Sequence, residues 1–173
     1  ALRWVDLSQN DYGLSLINNS KYGFDIKGNL MRMSLLRSPK WPDPTADMGK
    51  HVTEYALYPH QGRWQDARTV QRGYEFNNPL VAVATGVHTG KLGDAFSFIQ
   101  IEPANLILRT VKKCEGENAW IFQWYDVNGK DSEATLTLPR KPTKVVTSNI
   151  MEENGKDITA TNNLVRIQTK AHS

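Results

Sequence analysis

Two aspartates four residues apart, Asp43 and Asp47, come nearest to a chemical constellation in this sequence. They lie in a proline-rich run between Arg37 and His51. Two carboxyl groups can cleave a glycosidic bond, one as acid and the other as nucleophile or base, at about 5 Å apart for retention and more for inversion. Spacing along a chain does not supply that distance. Asp before Pro is also an ordinary turn former, and Asp47 has Arg37 as a potential ion-pair partner. On the residues alone the turn-forming role outweighs catalysis.

The other reactive side chains form no set. His51, His60, His88 and His172 include no His-x-x-x-His pair and no His-x-Asp arrangement, so they offer no metal site. His60 follows Pro59, precedes a helical stretch, and is expected to cap or pack there. Cys114 stands in Lys-Lys-Cys-Glu-Gly, where lysines lower a thiol pKa, but no histidine is near in sequence to act as base. Gly86, Gly90 and Gly93 lack the strand-to-helix setting of a phosphate cradle. Trp120, Phe122 and Trp124 alternate with Ile121 and Tyr125, so both faces of that strand are apolar. This is the pattern of a core strand rather than a flat-ring sugar platform. No catalytic residue and no metal ligand is assigned.

The chain has 173 residues, 21 Lys and Arg against 18 Asp and Glu, and a formal charge of +3. The positive charges are scattered without interleaved aromatics, which argues against a nucleic-acid groove. No run approaches the roughly 18 apolar residues of a membrane span. One cysteine cannot form an internal disulfide, which favours a reducing, cytoplasmic setting. Asn18-Asn19-Ser20 matches a glycosylation acceptor, a pattern short enough to arise by chance.

The elements that must position these residues are strands. Period-2 patterning marks segments around Leu14, Met31, Tyr55, Phe96–Ile101, Ile107–Val111, Trp120–Trp124, Ala134–Leu138 and Leu164–Thr169. Asn128-Gly129 predicts a tight hairpin. A single helix is expected over 63–76, begun at Gly62 and ended by Asn77-Asn78-Pro79. The class is all-β, a sandwich or barrel with one short helix, and residues 1–173 form one domain. Three prolines and two aspartates make the segment from Ser38 to Lys50 a stiff, exposed loop.

Leu35-Leu36-Arg37-Ser38-Pro39, Pro42-Asp43, Asp47-Met48-Gly49-Lys50-His51 and Tyr55-Ala56-Leu57-Tyr58-Pro59-His60 can be read together. With Trp4–Ser8, Phe98–Asn105 and Asn149–Glu153, they resemble the C-terminal β-region of α-mannosidases of glycoside hydrolase family 38. The resemblance implies a large β-sandwich of the galactose-mutarotase-like class (a supersandwich). It implies a parent enzyme that hydrolyses terminal α-linked mannose with retention, using zinc held in an N-terminal α/β domain absent from these residues. No cofactor is then expected in this chain, which alone would be inactive and would continue beyond Ser173. Its partners would be that catalytic domain, the α-mannoside substrate and, in a homo-oligomer, further copies. Under the resemblance Arg37, Asp43, Asp47 and His51 become substrate-cleft candidates. The alternatives are an autonomous carbohydrate-binding sandwich and a structural β-module without sugar affinity.

Overall fold

The computed structural model describes residues 1–172. The chain divides into two compact units, Ala1–Ala84 and Thr85–Ser173. Among the described residues no strand pairing crosses that boundary, so each unit completes its own sheets.

The first unit is built on β1 (Trp4–Ser8) and β2 (Tyr12–Asn18), a hairpin, followed by the smaller hairpin of β3 (Phe24–Lys27) and β4 (Leu30–Met33), then β5 (Tyr55–Gln61). Gly28, at φ +59°, makes the β3–β4 turn as the Gly-Asn pair predicts. β5 adds to β2, giving a three-stranded antiparallel sheet in the order β1-β2-β5. Its register places Asp6, Ser15 and Tyr58 side by side and sets Gly13 opposite His60. Because side chains alternate, one face carries Val5, Leu14, Leu16 and Leu57, and the other carries Trp4, Asp6, Ser15, Ile17 and His60.

The helix α1 (Thr69–Asn77) lies against the second face, with Thr69 beside Ser15 and Gly73 beside Trp4. A side chain at position 73 would meet the Trp4 ring at 2.9 Å. The helix is shorter than the expected 63–76. Arg68 adopts a left-handed conformation at φ 53°, so residues 64–68 form turns and regular helix starts only at Thr69. His60 sits inside β5, ahead of those turns, and packs there as expected.

The second unit contains β6 (Gln100–Glu102), β7 (Leu106–Lys113), β8 (Trp120–Asp126), β9 (Ser132–Thr137), β10 (Val146–Ser148), β11 (Asn154–Asp157), β12 (Ala160–Thr161) and β13 (Leu164–Thr169). A four-stranded sheet runs β12-β13-β9-β6, beside the pairs β7-β8 and β10-β11. Ala134, Leu136 and Val165 are buried on the four-stranded sheet, and Leu106 and Ile107 on β7. The expected strand through Phe96 and Phe98 shrinks to Gln100–Glu102. The two phenylalanines meet edge to face instead, with ring centroids 4.9 Å apart.

Asn128-Gly129 does not close a hairpin, because β8 pairs with β7 and β9 with β13 and β6. The chain changes sheets there, and the buried Asp126 carboxylate organises the corner. It accepts from the backbone N–H groups of Asn128, Gly129, Lys130 and His172 and from the Asn105 amide. Burial pushes this carboxyl up, but the Asn105 amide and the surrounding N–H groups outweigh it and hold it at about 2. β8 also departs from the expected core strand at one end. Trp120 is 66% exposed, whereas Trp124 is half-buried and donates its indole N–H to Thr169 Oγ1 at 2.8 Å. No helix is long and apolar enough to cross a membrane.

Candidate functional site

The four cleft candidates occupy the connection between β4 and β5, which is irregular and exposed throughout their positions. The loop is nevertheless braced from within. The Ser38 N–H donates to Asp47 Oδ2 at 2.9 Å, closing the segment from 38 to 47 into a ring of chain. Both closing residues, Ser38 at φ 50° and Asp47 at φ 61°, adopt left-handed backbone. The His51 Nε2–H donates to the Asp47 carbonyl at 2.8 Å, which ties the return of the loop to the same residue. Inside the ring, Asp43 Oδ1 accepts from the Thr45 hydroxyl at 2.7 Å and the Thr45 N–H at 2.8 Å. These bonds hold the Asp43 carboxyl below its ordinary range, the hydroxyl contributing most.

Asp47 therefore clasps the loop through Ser38 rather than through the Arg37 guanidinium, and Asp43 makes an Asx turn. Arg37, at the mouth of the ring, makes no ion pair with either aspartate among the described residues. The sequence brings Arg37, Asp43, Asp47 and His51 into one loop. The structure assigns Asp43, Asp47 and His51 to holding its shape, with Arg37 left facing solvent.

A second constellation is buried and was not singled out by sequence reasoning. Asp6 Oδ2 accepts from His60 Nε2–H at 2.8 Å and from Ser15 Oγ–H at 2.6 Å. Ser15 Oγ also lies 2.9 Å from Thr69 Oγ1. Since the one Ser15 proton goes to Asp6, Thr69 must be the donor to Ser15. The Asp6 and His60 side chains are each only 3% exposed. Asp6 Oδ1 and His60 Nδ1 are buried without a protein partner. The carboxylate stands between the histidine and the serine, so the imidazole does not touch the serine hydroxyl and the set lacks the serine–histidine–aspartate order of a nucleophilic triad. It pins β1, β2, β5 and α1 together. The sequence signal for it was Gly13: a side chain there would run into the His60 ring and Ser8, so this glycine makes room for the imidazole.

Among the described residues no group of three or more His, Cys, Asp or Glu side chains can hold a metal ion. Asn18, in the acceptor-like Asn-Asn-Ser run, is fully buried, and its side-chain oxygen takes the N–H groups of Ser20 and Lys21. It is a turn anchor out of reach of glycosylation.

Comparison with known proteins places these features. Residues 1–45 match the glycosyl hydrolases family 38 C-terminal domain, and residues 105–172 match the glycosyl hydrolases family 38 C-terminal beta sandwich domain. The chain is 40% identical to "Alpha-mannosidase 2C1" of Mus musculus over 79% of its own length and 13% of that protein. It is 34% identical to "Alpha-mannosidase G" of Dictyostelium discoideum over 87% of its own length and 14% of that protein. The chain thus spans about a seventh of the relatives it matches. Among solved structures, an alpha-mannosidase from Enterococcus faecalis V583 superposes with a TM-score of 0.72 at 18% identity, over 97% of this chain and 21% of that one.

Proposed function

Because the chain belongs to the C-terminal β-region of glycoside hydrolase family 38, we propose that it is the non-catalytic β-domain of a retaining α-mannosidase and forms one wall of the substrate cleft. The observation that carries this reading is the loop from Ser38 to Asp47, closed by internal hydrogen bonds, with Arg37 exposed at its mouth and in no ion pair with its aspartates. A loop stiffened by three prolines and internal hydrogen bonds loses little entropy when it meets a ligand. A guanidinium presents a planar fork of donors suited to vicinal hydroxyl groups or to a carboxylate of the catalytic domain.

On this reading Arg37 contacts the sugar or its immediate surroundings, while Asp43, Asp47 and His51 are positioning residues. The nucleophile, the acid and the zinc belong to the catalytic domain of the same polypeptide. The lone, buried Cys114 supports a cytoplasmic setting for the whole.

The test uses the full-length polypeptide and an aryl α-mannoside. Arg37→Ala should lower kcat/KM about tenfold, equivalent to about 1.4 kcal/mol of transition-state binding, with little change in Tm. A clear loss of stability with unimpaired turnover by the enzyme that still folds would end the cleft reading.

A further inference from the structure

We infer that Asn128-Gly129 is a self-modification site that the fold holds shut: the bond from the Gly129 N–H to Asp126 keeps the Asn128 side chain from deamidating. Both reacting groups belong to the chain, and water is the one co-reactant. In an Asn-Gly pair the glycine nitrogen can attack the preceding side-chain amide carbon. A new N–C bond closes a succinimide, while the glycine N–H proton and the side-chain nitrogen leave as ammonia. Water then opens the ring at either carbonyl, giving aspartate or isoaspartate at 128. Glycine favours the attack because no Cβ crowds its nitrogen.

The fold cannot dispense with this glycine. Gly129 stands at φ 68°, in the left-handed region that disfavours a side chain. A Cβ there would also meet the His172 ring at 2.6 Å. Asn128 is exposed, so water reaches the pair. The labile dipeptide is thus fixed in place by the corner between β8 and β9.

What restrains it is the bond made by the attacking nitrogen. The Gly129 N–H donates to Asp126 Oδ2 at 2.6 Å. On either side, the N–H groups of Asn128 and Lys130 donate to the same carboxylate at 3.2 and 3.1 Å. Attack requires a rotation within Asn128 that swings the Gly129 nitrogen toward the side chain. That rotation pulls the 129 and 130 N–H groups off a buried carboxylate together.

A carboxylate beside an N–H can also act as the base that removes its proton, so two effects compete. Asp126 titrates at about 2, far too low for it to take the proton of a peptide N–H. Its negative charge meanwhile disfavours the amide anion that must develop beside it. The guarding effect wins. A hydrogen bond to a charged acceptor that must open first slows the reaction about tenfold or more. Once formed, a carboxylate at 128 repels Asp126 two positions away, so modification loosens the corner that had prevented it.

The test incubates the full-length polypeptide at neutral pH, folded and unfolded in guanidinium chloride. Peptide mapping by mass spectrometry reads aspartate and isoaspartate at 128, separately from the other Asn-Gly pair, Asn154-Gly155. Asn128 should convert at least about tenfold more slowly in the folded chain, and amide exchange at Gly129 should be slowed in step. Asp126→Asn, shown by tryptophan fluorescence to be folded, should raise the folded-state rate at 128 about fivefold or more. Equal rates at 128 in the folded and unfolded wild type would overturn the proposal, as would a folded Asp126→Asn variant that keeps the wild-type rate. The wild type alone also decides: slow conversion at 128 with fast exchange at Gly129 would show that this N–H is not the guard.

Discussion

Replacing Asp126 by Asn isolates what one charge contributes to the corner between β8 and β9. Asn keeps the shape and one acceptor oxygen, but it removes the negative charge that five N–H groups face and adds an NH₂ among them. Asp126 titrates at about 2 against an ordinary 3.8. That difference is worth about 2 kcal/mol. A carboxyl whose folded pKa is depressed stabilises the fold fully above its unfolded pKa and loses that contribution as pH falls through the folded one. The window therefore lies between about pH 5 and pH 2.

Urea unfolding of the chain, followed by the fluorescence of Trp124 and its neighbours, reads the effect. At pH 7 the Asn variant should be less stable by about 1–2 kcal/mol, and the gap to wild type should close as pH approaches 2. Asp126→Ala, which leaves five donors without an acceptor, should cost about 3 kcal/mol at pH 7. A gap between wild type and the Asn variant that is the same at pH 7 and pH 2 would refute the electrostatic account of this corner.

Further outcomes follow from the buried network and the loop. His60→Ala leaves the Asp6 carboxylate buried with only Ser15 as donor and should destabilise the first unit by about 3 kcal/mol, read as a lower urea midpoint. Gly13→Ala drives a methyl into the His60 ring and should destabilise comparably, whereas Gly13→Ala combined with His60→Ala should recover part of the loss in a double-mutant cycle. Asp47→Ala removes the clasp on Ser38, and its effect should appear as faster amide exchange at Ser38 with little change in overall Tm.

Legibility in the sequence followed the range of the interactions. Alternating strands such as Trp120–Asp126 and Leu164–Thr169 could be read because a period of two is written locally. The sheet partners could not. Asn128-Gly129 reads as a hairpin from its own chemistry, yet Asp126, reaching Asn105 and His172 as well, turns the chain into a different sheet. The helix began late because Arg68 takes a left-handed conformation that no local preference of arginine announces. The loop from Arg37 to His51 was visible from its prolines and charges, but which aspartate clasps and which turns depended on three-dimensional closure. Asp6, Ser15, His60 and Thr69 were invisible as a set. They come from four elements up to 63 positions apart in the chain, and only register and packing bring them together.

The account stands most directly on where the β4–β5 loop lies in the full-length polypeptide with a non-hydrolysed α-mannoside bound. A crystal structure of that complex should place the Arg37 guanidinium within about 3.5 Å of a sugar oxygen or of a catalytic-domain carboxylate lining the site, directly or through one water. A structure in which the loop from Ser38 to Asp47 points into solvent, with no part of it within about 10 Å of the mannoside, beyond the reach of a single bridging water, would contradict the account.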